Sequence, residues 1–226
     1  MKKVLNIAID GPAGAGKSTI ARLLARKLGI LYLDTGAMYR AIGLKALRTG
    51  TDMRSEPDMK RLLGQTSLDI RFLGGDQQVL LDGEDVSQAI RTPDVSRAAS
   101  DVSALPAVRL RLVELQRRIA AEQDLVLDGR DIGTYVLPQA RYKVFLTADV
   151  RERACRRLLD LRARGDSSTT LEQVLEDVIY RDRQDSEREM APLRQAEDAI
   201  LIDSTGQSIE ETIERVLARI GRVDHD

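Results

Sequence analysis

V-L-N-I-A-I-D (Val4–Asp10) runs straight into G-P-A-G-A-G-K-S (Gly11–Ser18). The first stretch is apolar on both faces and ends in an acid, as a strand inside a parallel sheet does. The second has the spacing G-x-x-x-x-G-K-[ST] between that strand and a helical pattern, the setting in which this loop binds phosphate. Glycines let the backbone curl until several N–H groups face one anion, and the following helix adds the positive end of its dipole. Lys17 is expected to reach the β- and γ-phosphates of a nucleoside triphosphate, and the Ser18 hydroxyl to ligate Mg²⁺. Gly11, Pro12, Ala13, Gly14, Ala15, Gly16, Lys17, Ser18 and Thr19 are therefore the expected ATP-holding residues.

Four further short apolar runs punctuate the chain. They are I-L-Y-L-D ending at Asp34, L-V-L-D ending at Asp128, K-V-F-L near Phe145, and A-I-L-I-D ending at Asp203. Helical stripes lie between them: Ile20, Leu23, Leu24, Leu28; Val108, Leu112, Leu115, Ile119; Leu171, Val174, Leu175, Val178, Ile179; and Ile209, Ile213, Val216, Leu217, Ile220. Thr170 with Gln173, and Ser208 with Glu211, have the spacing of helix-opening capping boxes. Alternating strands and helices predict a three-layer α/β fold around a parallel sheet. One segment breaks the alternation. L-D-I-R-F-L and Q-Q-V-L-L flank Gly74-Gly75 and read as a hairpin, which places an insertion at about 64–104 in a core of 1–63 and 105–226.

Composition narrows the functions. Lys plus Arg number 35 against 36 Asp plus Glu in 226 residues, a balance that argues against nucleic acid as main partner. Cys155 and His225 are the sole residues of their kinds, so no zinc cluster or internal disulfide is possible; Cys155 reads as a packing residue and His225 as a solvated one. The opening apolar run is too short for a signal-peptide core, and no stretch approaches a membrane span. The expectation is a cytoplasmic monomer with no membrane partner.

Arginine is concentrated in the second half. Arg151, Arg153, Arg156, Arg157, Arg162 and Arg164 crowd one segment; Arg181, Arg183, Arg188 and Arg194 crowd another. Phosphoryl transfer between two nucleotides gathers phosphate charge, which planar guanidinium groups neutralise and align. The segment at about 151–168 is read as a mobile lid, and Arg153 and Arg157 as the candidates to meet the transferred group. Asp128 and Asp34, at strand ends, could hold Mg²⁺ through its water shell, or serve only as turn caps.

Six stretches in order carry a resemblance: D-G-P-A-G-A-G-K-S-T (Asp10–Thr19), L-D-T-G-A-M-Y-R (Leu33–Arg40), D-G-E-D-V-S with I-R-T (Asp82–Thr92), A-S-D-V-S-A-L-P-A-V-R (Ala99–Arg109), D-G-R-D-I-G-T (Asp128–Thr134) and R-D-R-Q-D-S-E-R-E-M-A-P-L (Arg181–Leu193). Together the chain resembles the bacterial cytidylate kinases over nearly its whole length. The resemblance implies that ATP phosphorylates CMP or dCMP, and that the insertion is a monophosphate-binding domain. It implies Thr35, Tyr39 and Arg40 along the CMP, with Arg40 and Arg130 on its phosphate. It implies Ser100, Arg109 and Asp131 on the cytosine, Arg181 and Asp185 on the sugar, and Arg188 on a phosphate. Lys17, Arg130 and Arg188, with Arg153 or Arg157, would then form the catalytic set. Thr35 stands where many members carry serine, keeping the hydroxyl; Ser186 and Glu187 stand where more basic or amide residues are expected.

Two rivals remain open on sequence alone. A kinase for a non-nucleotide such as shikimate or a sugar acid would fail to bind CMP. A nucleotide-dependent switch would hydrolyse slowly with no small acceptor; the N-K-x-D guanine motif of GTPases is absent from the sequence.

Overall fold

The computed structural model describes residues 4–163 and 165–223; Arg164 and His225 lie outside them. Five parallel strands form the central sheet: β1 (Asn6–Asp10), β2 (Leu31–Asp34), β6 (Leu125–Gly129), β7 (Tyr142–Thr147) and β8 (Ile200–Asp203). Their order is β2-β6-β1-β7-β8, with the loop-bearing strand in the middle. All five are the strands that the apolar runs predict.

The two-residue period of a strand sorts side chains onto two cores. Ala8, Leu33, Leu125 and Leu127 face one layer, with Met38 and Ile42 of α2 (Thr35–Thr49) and Leu112 of α5 (Pro106–Glu122). Ile7, Ile9, Tyr32 and Val126 face the other, with Ile20 and Leu24 of α1 (Lys17–Leu28) and Ile213, Val216 and Ile220 of α8 (Ile209–Val223). The fold is therefore a three-layer α/β sandwich, as the alternation predicts.

Between α2 and α5 come α3 (Glu56–Gly64) and a separate antiparallel sheet of β3 (Leu68–Leu73), β4 (Asp76–Leu81) and β5 (Glu84–Asp85). Gly74 and Gly75 make the β3–β4 turn at φ 61° and 88°, a left-handed conformation that glycine adopts without Cβ strain. The small sheet does not stand free: Ile70, Val79, Leu81 and Val86 share the core of Leu33 and Leu127. The Gln77 side chain accepts from Asp34 N–H at 2.7 Å, tying β4 to the end of β2. Helix α4 (Pro93–Ser103) follows, capped by the Thr92 hydroxyl with Pro93 in its first turn.

Helices α6 (Val150–Ala163) and α7 (Leu171–Glu187) pair across a small apolar core of Ala154, Val174 and Val178. Thr170 and Gln173 form the predicted capping box of α7, and Ser208 and Glu211 exchange equivalent bonds ahead of α8. Cys155, a half-buried free thiol, sits on α6. Among the described residues no helix is long and apolar enough to cross a membrane.

Candidate active site

Strands of a parallel sheet all end on the same edge, and ligands bind outside their carboxyl ends. Here β1, β2 and β6 deliver the phosphate loop, Asp34-Thr35 and Asp128–Asp131 to one cleft of about 620 Å³, a volume suited to nucleotide-sized ligands. Ala13 to Thr19, Thr35, Tyr39, Arg40, Ser100, Arg109, Asp128, Arg130, Asp131, Arg157, Arg181, Asp185 and Arg188 all line it. Nearly every residue singled out in the sequence is thus brought together, from seven separate segments. Gly11 and Pro12 lie beneath the loop, buried, and do not face the cleft.

The loop's shape follows from contact. A Cβ on Gly11 (φ 148°) would stand 1.9 Å from the Leu146 carbonyl oxygen, and one on Gly14 (φ 75°) 2.8 Å from that of Arg153. Only glycine lets the loop lie this close to β7 and α6. Lys17 Nζ donates to the Pro12 carbonyl at 2.7 Å. Burial, reinforced by the nearby Arg130 charge, pushes its ammonium down to about 7.

Beside Lys17, Ser18 Oγ donates to Asp128 Oδ2 and Tyr32 Oη to Asp128 Oδ1, both at 2.8 Å. Burial, with the Asp34 charge adding, raises the Asp128 carboxyl above the usual range. Thr35 Oγ1 donates to the Asp128 carbonyl at 2.7 Å. Asp34 is otherwise occupied: it caps α2 through Ala37 N–H and accepts from Arg40 at 2.6 Å. Burial alone would raise this carboxyl, but Arg40 and the Ala37 N–H together outweigh it and hold the group below its ordinary value.

Another part of the cleft is a lattice of buried ion pairs. Arg109 donates to Asp131 Oδ2 at 2.5 Å and Arg188 to Oδ1 at 3.0 Å. Arg130 donates to Asp185 Oδ2 at 2.6 Å. Burial would raise the Asp185 carboxyl, yet Arg130, Arg188 and Arg181 keep it low. Arg40, Arg130 and Arg188, which the resemblance assigns to phosphates, thus rest on carboxylates. Unmet polar atoms lie on the floor: Ser100 Oγ, Arg109 Nε and one terminal nitrogen, and both amide atoms of Gln116 are buried without a hydrogen-bond partner. Such groups are costly unless a ligand meets them.

The arginine-rich segments divide. Arg157 and Arg181 face the cleft; burial, then the Arg157 and Arg130 charges, lowers Arg181 to about 9. Arg156 also lines it, anchored on Ser204 Oγ at 2.9 Å. Arg153 does not line it. Its guanidinium is buried under the phosphate loop, on the Ala13 and Ala148 carbonyls and Asp182, because α6 turns that residue toward the loop's underside. Arg151 is exposed, Arg162 bonds its own interhelical loop, and Arg183 pairs with Glu187 at the surface.

Sequence reasoning missed Tyr32, Gln116, Asp10 and Asp182. Gln116 follows Arg109 by seven residues on α5, hence on the same face. Asp10 accepts from Ile132 and Gly133 N–H at 2.8 and 2.7 Å, and burial, against those bonds, lifts its carboxyl to about 6.

A nucleotide-sized cleft over a glycine-rich phosphate loop, lined in part by an arginine-bearing helix pair and set on a five-stranded parallel sheet, defines a small P-loop kinase fold. The family model for cytidylate kinase matches residues 7–222. The cytidylate kinase of Caldicellulosiruptor saccharolyticus is 54% identical over 96% of this chain and 95% of its own. That of Carboxydothermus hydrogenoformans is 53% identical over 96% and 98%. The chain belongs to the cytidylate kinase family. A crystal structure of an uncharacterized protein from Eubacterium ventriosum shares the fold at 15% identity, with a TM-score of 0.53 over 97% of this chain and 99% of that one.

Proposed function

We propose that the protein transfers the γ-phosphoryl group of ATP to CMP or dCMP, giving ADP and CDP or dCDP. The observation that carries the acceptor is the buried set Ser100, Arg109 and Asp131 on the cleft floor, with hydroxyl and guanidinium donors unmet. Cytosine offers a ring nitrogen and carbonyl to such donors, and its exocyclic amine to a carboxylate. Uracil has a carbonyl in place of that amine and would set one acceptor against another at Asp131. Tyr39 and Thr35 lie alongside, Arg181 and Asp185 hold the sugar, and Arg40, Arg130 and Arg188 receive the acceptor phosphate.

Transfer is direct and in line: an acceptor phosphate oxygen bonds to the γ-phosphorus as the β–γ bridging bond breaks, and the electron pair leaves on ADP. That oxygen is already ionised, so no general base is needed. Lys17, Arg130, Arg188 and Arg157 spread the developing charge, and closure of the lid at about 151–168 excludes water. Residues 64–104 serve as the acceptor-binding insertion on a core of 1–63 and 105–226.

The donor set suits Mg²⁺, a hard cation that keeps most of its waters. Ser18 would ligate it and Asp128, held only by the neutral Ser18 and Tyr32 hydroxyls, would hold its water shell; Asp34 is already charge-paired with Arg40, which makes it the weaker outer partner. The ion neutralises phosphate charge when bound. The protein works as a cytoplasmic monomer without nucleic acid or membrane partners. ADP release with ATP, Mg²⁺ and a panel of CMP, dCMP, UMP, AMP, GMP and shikimate tests the reading. Turnover with CMP and dCMP and little with UMP is expected; activity with shikimate alone, or none with any acceptor, overturns it.

A further inference from the structure

Ala13 of the phosphate loop is gripped on both of its peptide groups, from α6 and from α7. The Ala13 N–H donates to Asp182 Oδ1 of α7 at 3.0 Å. The Ala13 carbonyl accepts from Arg153 of α6 at 2.8 Å, and the same guanidinium nitrogen reaches Asp182 Oδ2 at 2.6 Å. Arg153 Nε is fixed on the Ala148 carbonyl at 2.9 Å, and the side chain is buried. Gly14 then packs on the Arg153 backbone.

Two consequences follow from where these bonds fall. The peptide whose N–H meets Asp182 carries the Pro12 carbonyl at its other end, and that oxygen is the resting partner of Lys17 Nζ. A carboxylate on the N–H polarises the peptide and fixes the direction of its carbonyl. On α7, Asp182 follows Arg181, which faces the cleft, and precedes by one turn Asp185, which holds Arg130. The helix that presents acceptor-side charges is thus bonded to the loop that takes the donor.

We propose that Arg153 and Asp182 are positioning residues for the donor nucleotide: they clamp the two peptide groups flanking Ala13 so that the phosphate loop, Lys17 and helix α7 keep one register. This rests on the kinase reading above and reassigns Arg153, which acts beneath the loop and not on the transferred phosphoryl group.

The test is a double-mutant cycle with Arg153→Met, Asp182→Ala and the pair. Each single change is expected to raise KM for ATP about tenfold, with KM for CMP within about twofold and the double variant little worse than either single. Asp182→Asn, which can still accept from Ala13 N–H, should recover part of the loss. Binding of a fluorescent ATP analogue without acceptor should weaken by the same factor. That arm is independent of the acceptor, so a wild-type protein that bound ATP yet phosphorylated no nucleotide would sink the kinase reading and still test the clamp. Additive losses confined to kcat, equal rises in both KM values, or unchanged ATP binding in folded variants would overturn it. If Arg153→Met does not fold, Asp182→Ala, at a half-buried carboxylate, carries the test with melting temperature as the folding control.

Discussion

Lys17 Nζ rests 2.7 Å from the carbonyl oxygen of Pro12, five residues behind it on the same loop. The side chain proposed to reach a phosphate is therefore stored against its own backbone, buried, with its ammonium lowered to about 7. In the folded state it binds fewer protons than a free lysine between about pH 7 and the ordinary 10.5, so folding stability rises with pH through that window.

A triphosphate beside Lys17 restores the charged form. Calorimetry of ATP binding near pH 8, in buffers of different ionisation enthalpy, should show net proton uptake that Lys17→Gln abolishes. The same variant should lose roughly a thousandfold in kcat while remaining folded, because one charge contact to the transferred group is removed, and its melting temperature should lose the rise with pH that Lys17 contributes.

The glycines of the loop should differ sharply. Gly11→Ala would drive a Cβ to 1.9 Å from the Leu146 carbonyl oxygen, whereas at Gly16 (φ 89°) the nearest atom is the Arg156 side chain at 4.0 Å. The first change is expected to cost about 4 kcal/mol or more, and the second only the conformational strain, about 1–3 kcal/mol. Thermal unfolding of the two purified variants checks the order.

Asp131 has Arg109 on one oxygen and Arg188 on the other. Asp131→Asn should lower kcat/KM for CMP by about a hundredfold and shift the CMP to UMP ratio toward uracil, since an amide can donate to the uracil carbonyl. Steady-state kinetics with both acceptors read this directly. A uniform loss for both would mean that Asp131 aligns the arginines and does not read the base.

Asp10 holds the Ile132 and Gly133 N–H groups that open the turn after Arg130. Its folded carboxyl titrates near 6 against an ordinary 3.8, so the folded state binds more protons between those values. Stability from this residue is present below that window and declines as pH rises through it. Asp10→Asn should flatten that slope and, by setting an amide N–H against a backbone N–H, cost about 1–3 kcal/mol at pH 7.

The sheet was readable because buried parallel strands leave continuous apolar runs, and four of the five end on an acid, Asp10, Asp34, Asp128 and Asp203. The phosphate loop was readable because its glycines answer to backbone geometry, which spacing records. What escaped the sequence were partnerships. Arg153 and Arg157 look alike on one helical stretch, yet a four-residue offset and the position of Ala13 send one under the loop and the other into the cleft. Tyr32 and Asp182 gain meaning only from carboxylate or peptide partners far away in the chain. Gln116 sat within reach of helical-period reasoning, seven residues beyond Arg109.

The pairing of Arg40 with Asp34, Arg130 with Asp185 and Arg188 with Asp131 makes the proposed acceptor pocket its own competitor. Any anion claiming these guanidinium groups has to displace a resident carboxylate, so a stray phosphate or sulfate exchanges one partner for another at little net gain. A ligand that also satisfies Ser100 and Arg109 brings something the carboxylates do not supply. Discrimination against the abundant small anions of a cell is thereby built into the resting charge pattern, ahead of any reading of the base.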